Sequence, residues 1–114
     1  MCIRDSRWAA ESPDIDGDRM CIYGGSYGGY AALTSVFKEP DLFRCAIGMV
    51  GVYDLELMHA KGDIRASRAG RNYLASKAIG NDIEQLRAES PVNNAHKIKV
   101  PVTVSYTHLT LPTK

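Results

Sequence analysis

The sequence predicts an α/β fold built on a parallel sheet, and three observations carry that prediction. Two short apolar runs, residues 19–23 and 45–52, flank one stretch of helical periodicity, which is the pattern of a β-α-β unit with parallel strands. The first run leads into Tyr23-Gly24-Gly25-Ser26-Tyr27-Gly28-Gly29-Tyr30, a glycine-rich turn placed between strand and helix. The composition of the 114-residue chain, 45% apolar and 24% charged, is that of core-forming material rather than of a disordered segment.

Residues 7–10 read as the last turn of a helix. Pro13-Asp14-Ile15-Asp16-Gly17-Asp18 follows as a turn cluster, because Asp bonds its own backbone and Gly accepts positive φ. Residues 19–23 form an apolar run bounded by glycine, which suits a strand buried on both faces. From 27 to 39, Ala31, Ala32, Leu33, Val36 and Phe37 recur at helical spacing until Pro40 prevents continuation. Residues 45–52 supply the second strand.

Residues 53–80 read as a helical insertion over the sheet, with helical patterns at Leu55-Glu56-Leu57-Met58 and at 71–79. Asp82 is placed to cap a short helix through Arg87, with Gln85 reaching back to the cap and Ser90-Pro91 ending it. Residues 98–102 give a third strand. Pro101 keeps that strand out of a central ladder position, since proline has no N–H to donate.

Fourteen Lys and Arg balance thirteen Asp and Glu, so charge makes no case for nucleic acid or an anionic membrane as partner. No apolar run approaches the roughly 20 residues of a membrane span, and residues 1–6 contain no stretch of signal-peptide length. Cys2, Cys21 and Cys45 lack metal-ligand spacing, and their odd number closes no disulfide framework. A reducing, cytoplasmic compartment is the default reading.

Gly24-Gly25-Ser26-Tyr27-Gly28 matches the G-x-S-x-G nucleophile elbow in its required context, after a buried strand and at the start of a helix. The α/β-hydrolase fold is therefore expected, with Ser26 as nucleophile at the apex of a strained turn. Small neighbours let strand and helix approach, and Gly24, Gly28 and Gly29 have no Cβ to clash. The backbone N–H of Tyr27, at the helix N-terminus, is placed to donate to the oxyanion formed when Ser26 attacks a carbonyl. A phosphate cradle is the competing use of such a turn. It is disfavoured because no Lys-Ser/Thr follows the loop and no clear G-x-G-x-x-G register is present. A purely structural turn would not need four glycines around a serine.

The base and orienting acid should follow Ser26 in the chain. Asp54, just past the second strand, stands where some α/β-hydrolases carry their acid, but a cap or turn role is the stronger reading. His59 lies in the helical insertion and His96 before the third strand, and each reads as a surface or packing residue. No convincing triad partner emerges.

Residues 14–102 resemble the catalytic domain of the prolyl oligopeptidase family of serine peptidases, in particular its acylaminoacyl-peptidase and dipeptidyl-peptidase-like branches. The matching features are Asp16-Gly17-Asp18-Arg19, the Gly24–Tyr30 elbow, Pro40-Asp41-Leu42-Phe43, Gly51-Val52-Tyr53-Asp54, Ser90-Pro91 and Lys99-Val100-Pro101-Val102. The resemblance implies hydrolysis of short peptides through an acyl-enzyme on Ser26, with no metal or organic cofactor. It also implies that Tyr53 and the helical segment after it lie near the substrate side pocket. An esterase or other acyl hydrolase on the same fold is the alternative, because the fold does not set the substrate. A non-catalytic binding module is the third class.

In the family, the strand beginning like Lys99-Val100-Pro101-Val102 leads to the triad Asp and then His, and here the pattern departs near Thr103. Residues 1–6 and 104–114 resemble translated sequencing-adapter read-through. The expected organisation is therefore 1–6 foreign, 7–103 a partial catalytic domain and 104–114 foreign, with no role for His108. On that reading the triad Asp and His are missing from the chain, which alone is expected to hydrolyse little.

Overall fold

The structure is a computed structural model, and it describes residues 2–73 and 82–106. The elements run α1 (Cys2–Ala10), β1 (Cys21–Gly25), α2 (Tyr27–Lys38), β2 (Cys45–Met49), α3 (Leu55–Lys61), α4 (Arg68–Tyr73), α5 (Ile83–Glu89) and β3 (Val102–Ser105), with short 3-10 turns between some of them. The strands form one parallel sheet in the order β1-β2-β3. The expected α/β class, the β-α-β unit and its parallel pairing are all present.

The turn cluster ends in a 3-10 turn at Gly17–Arg19, where the Asp16 carboxylate accepts the Asp18 N–H at 3.1 Å. Arg44, just before β2, donates from Nε to the Asp18 carbonyl at 2.8 Å, tying this loop to the sheet. Leu33 and Val36 of α2 bury against Phe43 and Ala46, and Met20, Ile22, Ile98, Val100 and Val102 pack around them. The core is thus the side of the sheet that faces α2.

Residues 19–23 were expected to be buried on both faces. β1 instead alternates, and Tyr23 is 63% exposed. Among the described residues helix α2 covers one face only, so Tyr23, Ile47 and Met49 on the other face lie open. β2 ends at Met49 rather than at 52: the Val50 N–H still donates to the Ser105 carbonyl at 2.7 Å, but the positive φ of Val50 turns the chain away after it.

The third strand is displaced too. Residues 98–101 are not strand, and β3 begins one residue after Pro101, whose carbonyl accepts the Ala46 N–H at 3.1 Å. Proline can accept but not donate, so it serves as the entry to the edge strand. Ser90-Pro91 ends α5 as expected and opens a 3-10 segment, Pro91–Lys97. Asp82 caps α5 through the Glu84 and Gln85 N–H groups. Of the pattern at 71–79, only the part inside α4 lies within the described residues.

Residues 2–6 form the first half of α1, and residues 104 and 105 complete β3. His108 lies outside the described residues. Cys21 and Cys45, for which no pairing was expected, are direct register partners on β1 and β2. Their Cα atoms stand 4.7 Å apart and their sulfurs are joined in a disulfide, a distance within the bridging range. Residues 24 apart in sequence become neighbours only through the strand register.

Candidate active site

Strand β1 and helix α2 meet at a single residue, Ser26, with φ 53 and ψ −119. A non-glycine side chain at positive φ is strained by about 1–3 kcal/mol and persists only where the surroundings over-determine it. Those surroundings are visible here. The Ser26 N–H donates to the Met49 carbonyl at the end of β2 at 2.8 Å, and the Ser26 carbonyl accepts the Gly29 N–H at 3.0 Å in the first turn of α2.

Ser26 occupies the N-cap position of α2, yet its side chain makes no capping hydrogen bond. The residue is exposed, so its hydroxyl is not spent on the helix. Tyr27 is the first residue of α2, where an N–H has no carbonyl one turn earlier to bond. That donor and the positive end of the twelve-residue helix sit beside the Ser26 side chain. The Tyr27 ring points to solvent, 71% exposed, and leans on Tyr30 with centroids 5.6 Å apart.

The glycines of the motif play different parts. A Cβ on Gly24 would stand 2.0 Å from the Gly28 carbonyl oxygen and 2.2 Å from its carbon, so strand and helix can meet only if position 24 has no side chain. At Gly28 itself a Cβ would meet nothing within 4 Å. The expectation that Gly28 avoids a clash of its own is therefore corrected: its backbone is the obstacle to which Gly24 yields. Gly29 is needed for a reason outside the motif, since a Cβ there would lie 2.9 Å from the Gly51 Cα and 3.2 Å from the Tyr53 hydroxyl.

Tyr53 lies among three glycines drawn from α2, β2 and the turn after β2. A Cβ on Gly48 would come 2.1 Å from the Tyr53 oxygen, and one on Gly51 would come 2.5 Å from the ring. The hydroxyl is buried and no hydrogen-bond partner is recorded for it among the described residues. Burial raises its pKa, the neighbouring Tyr106 phenol acts in the same direction, and the Gly51 backbone, close to the hydroxyl but outside hydrogen-bond geometry, opposes them. An unpaired buried hydroxyl costs about 1–3 kcal/mol. Tyr53→Phe should therefore leave stability unchanged or raise it by about 1 kcal/mol, read as an equal or higher melting temperature; a clear fall would show that the oxygen has a partner.

Beside the elbow opens an apolar cavity of about 500 Å³, lined by Tyr53, Leu57, Met58, Val92 and Tyr106 among others. Its first wall residue, Gly51, is two positions past Met49, whose carbonyl holds the Ser26 N–H. Tyr106 packs edge-on to Tyr53 at 6.2 Å and donates its hydroxyl to the Gly51 carbonyl at 3.1 Å.

Asp54 is the N-cap of α3, its carboxylate accepting the Leu57 N–H at 2.8 Å, the role that its position after the strand favoured. His59 sits in the last turn of α3, where its carbonyl accepts from Arg65 at 2.5 Å. His96 is exposed in the 3-10 segment before β3. Val50, at φ 49, was not singled out from the sequence; a β-branched residue gives no local sign of positive φ, and the strain shows only in the backbone. Among the described residues no group of three or more His, Cys, Asp or Glu could hold a metal ion, and no helix is long and apolar enough to cross a membrane.

A parallel sheet, a strained serine at the strand-to-helix junction and a helix packed behind it define a segment of an α/β-hydrolase fold. Solved structures with this arrangement include an acylaminoacyl peptidase of Pyrococcus horikoshii (25% identity, TM-score 0.71, covering 90% of this chain and 16% of that one). A puromycin hydrolase also matches (28% identity, TM-score 0.74, covering 90% and 15%). The profile of the prolyl oligopeptidase family matches residues 2–111, and the chain belongs to that family. Among curated relatives, dipeptidyl aminopeptidase BIII of Pseudoxanthomonas mexicana is 30% identical over 114 residues, 86% of this chain and 15% of its own length. Acylamino-acid-releasing enzyme 1 of Oryza sativa subsp. japonica is 26% identical over 94 residues, 76% and 12%. The chain thus spans about a seventh of the length of these relatives or less.

Proposed function

We propose that this chain is the nucleophile-bearing part of a serine oligopeptidase, and that Ser26 forms the acyl-enzyme. The observation that carries this reading is the backbone of Ser26, held at φ 53 between strand and helix while its hydroxyl stays free of capping. Ser26 Oγ attacks the carbonyl carbon of a peptide bond, a general base takes its proton, and the leaving amine receives a proton as the tetrahedral intermediate collapses. The Tyr27 N–H donates to the oxyanion while charge develops, with the positive end of α2 behind it. Water then releases the acyl group. The base and its orienting acid come from outside residues 7–103, the partial catalytic domain, and residues 1–6 and 104–114 are foreign to it. The 114-residue chain alone accordingly hydrolyses little, because a serine without its base is a weak nucleophile at neutral pH.

Support for peptide substrates comes from the relatives' names, which speak of peptidases acting on dipeptidyl and acylaminoacyl groups. The walls that residues 51–92 give the apolar cavity beside the elbow, Tyr53, Leu57, Met58 and Val92 among them, suit the side chain next to the scissile bond. Assay of the whole enzyme on aminoacyl-anilides and on short-chain esters tests this choice. Anilide turnover is expected; strong ester turnover without any anilide cleavage would make the protein an esterase of the same fold.

A further inference from the structure

We infer that Ser90 is a positioning residue for substrate binding, fixing the wall of the cavity beside the elbow; the assignment rests on the serine-peptidase reading above. Ser90 is completely buried, 0% exposed. Its hydroxyl donates to the Leu86 carbonyl in the last turn of α5 at 2.6 Å and accepts the Leu55 N–H at the start of α3 at 2.9 Å. The first N–H groups of a helix have no intrahelical acceptor. In α3, Asp54 satisfies the donor of Leu57 and Ser90 that of Leu55, so a serine 35 positions later shares in the cap.

The clip extends on both sides. The Val92 N–H donates to the Tyr53 carbonyl at 3.0 Å, and Arg87 forms a two-point pair with Glu56, at 2.6 and 2.8 Å, across the outer surface of the same two helices. Asn94 Nδ2 bonds the Ala88 and Ser90 carbonyls and locks the turn that presents the hydroxyl. What α3 contributes beyond this contact is Leu57 and Met58, two apolar walls of the cavity. The exposed ion pair can be lost cheaply. The buried hydroxyl cannot, because removing it strands a backbone donor away from water.

The consequence is specific to binding. Ser26 is held by β1, α2 and the Met49 carbonyl, and among the described residues no hydrogen bond joins these to Ser90; α2 meets that region only at its far end, through the Lys38–Glu89 ion pair, and by packing on the 3-10 segment after Ser90. Releasing the start of α3 therefore loosens the pocket and leaves the elbow in place.

In the whole enzyme, Ser90→Ala should raise KM for an anilide with a large apolar side chain by about tenfold with kcat retained. For a glycyl anilide, which does not fill the cavity, KM should hold within about twofold. Leu57→Ala should give the same split. Ser90→Cys keeps an atom at the γ position, larger than oxygen and a weak hydrogen-bonding group, and it provides the measurement if the alanine variant fails to fold: a selective rise in KM for the large substrate is again expected. Equal losses on both substrates, a fall in kcat alone, or no change in either variant would overturn the assignment. A folded wild-type enzyme that hydrolyses neither substrate would instead remove the serine-peptidase reading itself.

Discussion

Ser26→Ala in the whole enzyme lowers kcat on an anilide substrate by about 10⁶-fold, with little change in melting temperature. The size of the effect follows from the chemistry: with Oγ gone there is no atom to carry the acyl group, and any residual rate comes from the oxyanion donor and from substrate positioning. Stability should hold, because the hydroxyl is exposed and caps nothing. Alanine will still carry the strain of positive φ at this position. Stopped assays and thermal unfolding on the same preparation check both halves. A variant keeping a tenth or more of wild-type turnover would show that another residue is the nucleophile.

Gly24→Ala should be the most damaging single methyl in the elbow. Its Cβ would lie 2.0 Å from one backbone atom and 2.2 Å from another, and no rotamer change can relieve a clash with main chain. Overpacking of a tight site costs about 1–3 kcal/mol and more where nothing can move; here either the β1–α2 junction opens or the variant does not fold. Activity falls in either case, because Ser26 moves with the junction and sub-ångström displacement of a nucleophile is expensive. Gly28→Ala is the matched control, as its Cβ would meet nothing within 4 Å. Thermal unfolding of the two variants should separate them clearly, and equal behaviour would show that the approach of strand and helix at Gly24 is looser than the structure has it.

The contrast between those two glycines marks what a sequence can tell about this site. The elbow was legible because its determinants are local: an apolar run, a serine between glycines and a helical pattern follow one another within twenty residues. Even so, the motif did not say which glycine yields to which. The cavity was legible only through family resemblance, because its parts come from far apart. Tyr53 rests among Gly29, Gly48 and Gly51, and α3 is held by a serine 35 positions away. In the sequence Ser90-Pro91 looked like a helix stop, which it is, and nothing local announced the second task of its hydroxyl.

The misplaced boundaries have a similar origin. Residues 98–102 look like a strand by composition, but Pro101 cannot donate to the ladder, and pairing with β2 starts at Val102. The burial expected of β1 assumed cover on both faces, and among the described residues only α2 covers it. The Cys21–Cys45 bridge depends on strand register, to which counting cysteines is blind.

The most direct test of the central claim is to treat the whole enzyme with a fluorophosphonate, which phosphonylates only an activated serine, and to map the adduct by tandem mass spectrometry. After reduction of the Cys21–Cys45 bridge, trypsin should release residues 20–38, bounded by Arg19 and Lys38, as one peptide that also contains Ser35, a buried serine whose hydroxyl is bonded to the Ala31 carbonyl. The account predicts a single adduct on Ser26, formed in step with loss of peptidase activity. An adduct on any other residue, or complete inactivation with Ser26 unmodified, would contradict it.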